Sequence, residues 1–375
     1  MEDHVSVQIE RYSGDHEDLV QAFNRRLGAA ASPFRFPECH VPQWLPRRAD
    51  FPLYQECFLA VDAHREVRGG YILKHQEFYC NSKIIRIADY QLPLSEGIVD
   101  GKYNFVGLRL LTNALSRQKS LFAMGIGGLR DPLSRMLKAM RWQIERVPFF
   151  FRVLHPNAFL RNAVPLRRST AGRLACSLLA STGLGWLAVK GLQLGGRRRR
   201  LPRSIDVEEV AEFSPWVDEV WDRCKDHYAL AAVRDCRVLR TLYPAGDPRF
   251  IRLKITRDGS AAGWAVVMAT AMADHNYFKD MKVGTVVDCL AAPDDATSVA
   301  ASAMNVLESQ GVDLIVSNQS HAAWCNALRQ CGCLNGPSNY LFAASPHLAK
   351  IIGPLESNLS SFHFNRGDGD GPINL

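Results

Sequence analysis

Two stretches of the chain concentrate residues suited to moving protons. Asp89, Tyr90, Glu96 and Tyr103 stand close together in the first half, and His275, Tyr277, Asp280 and Asp288 in the second. Carboxylates, phenols and an imidazole at that density suit general acid–base work on an attacking amine or hydroxyl. The other chemistry-bearing patterns are incomplete. Cys331-Gly332-Cys333 has no second Cys or His pair at zinc-ligand spacing, so it reads as buried thiols at a helix end and no metal ligand set is expected. Gly125-Ile126-Gly127-Gly128 stands between a strand and a helix, but Arg130 holds the place of a dinucleotide loop's last glycine, and the pattern reads as a turn. Arg366-Gly367-Asp368-Gly369-Asp370-Gly371 lacks the glutamate and the incoming helix of a calcium loop, and reads as a polar tail able to cover an active-site mouth.

Positioning such groups requires a folded body, and the composition supplies one. The 375 residues are 47% apolar and 22% charged, which predicts a globular chain of two ordinary domains. Ten cysteines without a regular framework imply a reducing compartment, and the acidic start Met1-Glu2-Asp3-His4 carries no export pattern, so a cytoplasmic location is expected. The net charge of +7 is local: twelve basic residues and no acidic one lie from Arg146 to Ser204, while elsewhere 33 basic residues face 38 acidic ones. Within that segment, Leu174 to Val189 is uncharged but, at sixteen residues, shorter than the roughly twenty a membrane span needs. Two readings stand: an inter-domain helix with solvated arginines, which short apolar runs favour, or an amphipathic helix on an anionic membrane surface.

On either side of this segment the same order of elements is predicted. The first half reads as strand Val5–Tyr12, helix His16–Arg26 and a hairpin turning at Ala63-His64-Arg65. There follow strand Lys83–Tyr90, helix Val106–Arg117, strand Leu121–Gly125, helix Pro132–Met140 and strand Ile144–Val153. The second half reads as strand Ser204–Phe213, helix Pro215–Lys225, a hairpin turning at Arg257-Asp258-Gly259 and strand Val283–Leu290. Helix Thr297–Gln310, strand Val312–Ser317, helix His321–Gln330 and an extended pair within Leu334–Ala344 complete it.

A doubled β-α-β-β-β-α-β-α-β unit, with Asp89 or Asp288 at the end of its central strand, resembles the GNAT superfamily of N-acetyltransferases, and the pair resembles double-GNAT proteins such as Fem-type aminoacyltransferases. The segment Tyr228, Arg234-Asp235, Leu239 and Tyr243-Pro244 is also similar to one in GNAT-like proteins of polysaccharide clusters. The resemblance implies an α/β (α+β) fold of two tandem GNAT-like domains, each a mixed central sheet flanked by helices. They would be an N-terminal domain of residues 1–165 and a C-terminal domain of residues 204–375, joined by a basic helical linker at 166–203.

It also implies an acyltransferase of cell-envelope or polysaccharide biosynthesis that takes acyl-CoA or acetyl-CoA as co-substrate and acts on a small-molecule or carbohydrate acceptor. In this family the thioester is held where the central strand parts from its neighbour, with the pyrophosphate on the backbone N–H groups opening the next helix. Lys102-Tyr103-Asn104-Phe105-Val106-Gly107 is the best match to that loop, so Lys102, Phe105, Val106 and Gly107 are the expected cofactor-binding residues; Phe105 replaces the family's middle glycine. Asp89, Tyr90, Glu96, Tyr103 and Asp288 are the expected catalytic residues, Tyr103 as the phenol near the leaving sulfur. The matching loop in the second half, Ala291 to Thr297, presents Asp294 and Asp295, which repel a polyanion. Alternatives are aminoacyl transfer from charged tRNA, with the arginine cluster on phosphates, and a non-catalytic binding module.

Overall fold

The computed structural model describes residues 6–162, 204–275 and 278–369. The expected linker 166–203 and Tyr277 lie outside the described residues, and with the linker the arginine cluster on which both the tRNA and the membrane readings depend.

In chain order the first half forms β1 (Val7–Arg11), α1 (Glu17–Ala29), β2 (Tyr54–Asp62), β3 (Val67–Cys80) and β4 (Lys83–Ser95). It continues with α2 (Asn104–Arg117), β5 (Leu121–Met124), α3 (Pro132–Ala139), β6 (Gln143–Arg146), β7 (Phe149–Val153) and α4 (Pro156–Asn162). The second half forms β8 (Ile205–Glu209), α5 (Trp216–Cys224), β9 (Leu230–Ala232), α6 (Cys236–Leu242), β10 (Ile251–Arg257), β11 (Ser260–Ala271) and β12 (Lys282–Ala291). Then come α7 (Ala296–Ser309), β13 (Leu314–Asn318), α8 (Ala322–Gln330), β14 (Leu334–Gly336), β15 (Leu341–Ala344), α9 (Pro346–Ile352), α10 (Leu355–Asn358) and β16 (Phe362–His363). Among the described residues no helix is long and apolar enough to cross a membrane.

The chain divides into two compact units, residues 1–145 with 341–356 and residues 146–340 with 357–375. Each holds a mixed sheet, ordered β1-β2-β3-β4-β5-β15-β6 in the first and β14-β7-β13-β12-β11-β10-β8 in the second. In the first, α1 buries Val20, Phe23 and Leu27, at i, i+3 and i+7, with Leu59, Val61 and Ile72. On the other face α2 buries Val106, Leu110, Leu111 and Ala114 with Tyr71, Leu73, Ala88 and Tyr90. In the second, α5 turns Val217, Val220, Trp221 and Cys224 inward, and α7 is buried along most of its length.

The halves are not contiguous as the sequence leads one to expect. The predicted strand Ile144–Val153 breaks at Pro148, which has no N–H to give a ladder. Before the break β6 joins the first sheet; after it β7 pairs antiparallel with β13 in the second. The predicted pair within Leu334–Ala344 parts the same way, with β14 on β7 and β15 antiparallel on β5. Each half thereby contributes strands to the other half's sheet.

Candidate active site

The first unit places its polar groups on the face of the sheet away from α2. Antiparallel register sets Gln55 of β2 beside Lys74 of β3, and Lys74 beside Asp89 of β4. Directly opposed residues share a face, so the three form a row. All are buried, and Gln91 next along the face donates from Nε2 to Asp89 Oδ2 at 2.9 Å while accepting from Gln55 Nε2 at 2.8 Å. Lys74 Nζ also lies 5.5 Å from the ring centre of Trp44. Gln76, on the same face, is buried, and neither its Oε1 nor its Nε2 finds a hydrogen-bond partner. A buried polar row in the middle of a sheet costs stability.

At this row the sheet opens. β4 and β5 pair in parallel only through Ala88–Leu121 and Asp89–Phe122. Just beyond, β4 carries a bulge: two residues, Leu92 and Pro93, stand against one, Tyr71, and Leu92 takes a φ of 44°. Pro93 cannot donate to a ladder and a left-handed leucine is strained, so the bulge bends the strand's end away. Asp89 stands at the mouth of that splay.

The expected residues fall in different surroundings. Tyr90 points to the α2 face and sits in the core with its hydroxyl unpartnered, so it cannot share an acceptor with Asp89. Glu96 is buried in ion pairs with Arg26 (2.8 Å) and Arg68 (3.1 Å), and Arg68 also binds Asp62 at 2.8 Å. Tyr103 is buried with Arg68 over its ring at 4.5 Å. Burial raises the Tyr103 phenol, keeping it protonated at neutral pH. Lys102 is exposed, Phe105 packs at the edge of the core, Val106 is fully buried, and Gly107 lies beside Met136. The loop's close backbone approach belongs to Gly97, where a Cβ would stand 2.8 Å from Asn104 Cα, so the chain folds onto the start of α2. No side chain caps α2 at Tyr103. In the turn leading into α2 the Lys102 N–H donates to Asp100 Oδ1 at 3.0 Å, the Tyr103 N–H to the Asp100 carbonyl at 3.0 Å and the Asn104 N–H to the Gly101 carbonyl. Solvated Lys102 fits an anion such as a pyrophosphate, and the buried Val106 side chain and the bulk of Phe105 do not add to that fit.

In the second unit the corresponding splay is filled by the chain itself. β12 and β13 pair through Val283–Leu314 to Val286–Ser317, and a bulge at Val287 precedes Asp288. Asp288 accepts from Arg234 Nε at 2.7 Å, Tyr243 Oη at 2.7 Å, Asn365 Nδ2 at 2.8 Å and the Cys289 N–H at 2.9 Å. Those four donors occupy the lone-pair sites of a carboxylate. Arg234 Nη2 continues to Asp368 Oδ1 at 2.6 Å. Residues 362–368 run alongside the end of β13: the Ser320 N–H donates to the Phe364 carbonyl at 3.0 Å, and Asn365 bridges to Gln319. Gly367 is essential there, because a Cβ would lie 2.7 Å from Asp288 Oδ2. The segment expected to be a polar tail is thus buried as far as Asp368. In the loop before α7, Asp295 is paired with Arg257 and Asp294 is exposed. His275 and Asp280 sit at the far end of the β11–β12 hairpin, Asp280 accepting from the Asp274 N–H. The six residue steps from Lys282 to Asp288 along β12 keep them about 20 Å from the acid.

The sequence reading missed Lys74, Gln55 and Gln91 in the first unit and the partners of Asp288 in the second. A lysine in the apolar run Ile72-Leu73-Lys74, and Pro93 in a central strand, were the available signals.

No protein-family model matches the chain, and no curated protein sequence matches it. Solved structures do. A conserved protein of Enterococcus faecalis V583, described as a probable N-acyltransferase, superposes with a TM-score of 0.53 at 9% identity, over 93% of this chain and 75% of its own. A GCN5-related N-acetyltransferase from Anabaena variabilis ATCC 29413 matches with a TM-score of 0.53 at 9% identity, over 93% and 73%. N-myristoyltransferase of Saccharomyces cerevisiae, solved with bound myristoyl-CoA, matches with a TM-score of 0.51 at 10% identity, over 90% and 78%. The fold is that of the GNAT acyltransferases, as the element order implies.

Proposed function

We propose that the chain is an acyltransferase whose first unit carries the reaction, moving an acyl group from a coenzyme A thioester to an amine or hydroxyl of a small-molecule or carbohydrate acceptor. One contrast supports it: Asp89 stands where the β4–β5 pairing ends, in a buried polar row with Lys74, Gln55 and Gln91, whereas Asp288 is saturated by four donors and residues 362–368 run along the end of β13. That the yeast N-myristoyltransferase holds myristoyl-CoA is consistent with this donor class.

The thioester supplies an activated carbonyl carbon and a sulfur leaving group. Asp89, oriented by Gln91, takes the proton from the acceptor nitrogen or oxygen as that atom bonds to the carbonyl carbon. Tyr103 belongs to the same α2-face core as Tyr90, so when the carbon–sulfur bond breaks the departing thiolate takes its proton from solvent. Lys102, exposed at the start of α2, holds the phosphates by its charge. The second unit then shapes the acceptor side without binding a thioester.

The test is thermal unfolding of the full chain with acetyl-CoA, longer acyl-CoA and free coenzyme A. A ligand at a hundred times its Kd stabilises by about 2.7 kcal/mol. A shift that ranks the acyl chains and weakens on Lys102→Ala supports the reading. No shift with any thioester overturns it and favours a non-catalytic binding module.

A further inference from the structure

Away from that row, three side chains of the first unit converge. Glu17 opens α1; Cys39 and His40 lie in the stretch before β2. One carboxylate oxygen, one sulfur and one ring nitrogen from the three all lie within 4.8 Å of one another. His40 Nδ1 is 2.7 Å from Glu17 Oε1, which also accepts the His40 backbone N–H at 3.0 Å. Consecutive residues of an extended chain send their side chains to opposite sides, yet a bend at 38–41 turns Cys39 and His40 onto the same carboxylate.

The loop is braced on the residues just before this pair. Tyr12 Oη donates to the Glu38 carbonyl at 2.7 Å, and Asn24 Nδ2 donates to the Phe36 carbonyl at 2.8 Å and to Glu38 Oε1 at 3.1 Å. The Phe36 N–H returns a bond to Asn24 Oδ1 at 2.9 Å. Tyr12 and Asn24 are both buried, so the backbone carrying Cys39 and His40 is held by the core. Among the described cysteines Cys39 alone is exposed. Ligands presented from a fixed backbone, with supporting hydrogen bonds behind them, are what a metal site needs.

We propose that Glu17, Cys39 and His40 bind a zinc ion, with solvent completing a four-coordinate shell. The set of one sulfur, one nitrogen and one oxygen matches zinc and not the all-oxygen preference of calcium or magnesium. On binding, the Cys39 thiol releases its proton to solvent, His40 ligates through Nδ1 with its proton on Nε2, and Glu17 exchanges its hydrogen bond for the metal. Spacing concealed the site: a Cys-His dipeptide and a distant glutamate match no finger pattern.

The experiment titrates the untagged, metal-stripped full chain with Co²⁺ alone. The expected result is about one ion per chain with a thiolate-to-cobalt absorption band, displaced by Zn²⁺. Cys39→Ser should abolish the band, and His40→Ala and Glu17→Gln should each weaken binding by about tenfold or more. The three side chains lie at the surface, so the metal-free variants should match the parent in circular dichroism and unfolding temperature. Absence of the band in the parent chain, or its survival in Cys39→Ser, overturns the proposal.

Discussion

Asp89→Asn should lower the acyl-transfer rate by about 10²- to 10⁴-fold, the usual worth of a general base. Buried Lys74 lies directly opposite, so the unfolding temperature should fall as well; steady-state kinetics on the fraction that a melting curve shows to be folded reads the catalytic part. Asp288→Asn should act on stability alone. It removes one of the two carboxylates that hold buried Arg234, the other being Asp368, a loss of up to about 3–5 kcal/mol in urea unfolding. From sequence the two acids look alike, each at the end of a central strand. What separates them is which side chains meet them, and the donors to Asp288 lie 54, 45 and 77 residues away in the chain. The segment from Tyr228 to Pro244 shows in sequence only as a family likeness; that it delivers Arg234 and Tyr243 to Asp288 is a tertiary fact no local pattern contains.

Strand β16 pairs in parallel with β9 and carries His363, wedged edge-on between Tyr228 and Trp324. Its Nε2 has no partner, and burial pushes the imidazole down to about 3. The folded chain keeps this ring neutral while the unfolded chain protonates it near 6.5. Between those values the unfolded state binds the extra proton, so the stabilisation is complete above pH 6.5 and is lost as pH falls toward 3, by about 1.4 kcal/mol per unit. Urea unfolding across pH 4 to 7 should show a shallower slope in His363→Phe, which retains the ring contacts. An unchanged slope would mean the ring is not buried neutral. The helices and long strands were legible because their apolar residues recur at helical or alternating spacing. β16 and the short turns before α2 were not, since Gly97 folding back on Asn104 and a two-residue strand leave no periodic trace.

A fragment of residues 1–165 should fail to fold as a domain. It lacks β15, which lies between β5 and β6, and so exposes strand edges inside the sheet. Expression of that fragment should give aggregated protein without protected amides in β5; a soluble fragment with such protection would overturn the expectation. The repeated element order was readable along the chain, yet the exchange of β7 and β15 was not. Pro148 marked a break, but pairing partners are chosen by the folded sheet and not by their neighbours in sequence.

That exchange also fixes an order of events during synthesis. The first unit's strands up to residue 145 leave the ribosome early, but their sheet cannot close until Leu341–Ala344 follows, about 200 residues later. At about 5–20 residues per second, β5 waits some 10 to 40 seconds with an open edge. The second unit can therefore form most of its own sheet first. The protein's N-terminal half is made first, but its sheet closes only after β15 arrives, and through that interval its open edge is exposed to chaperones and proteases.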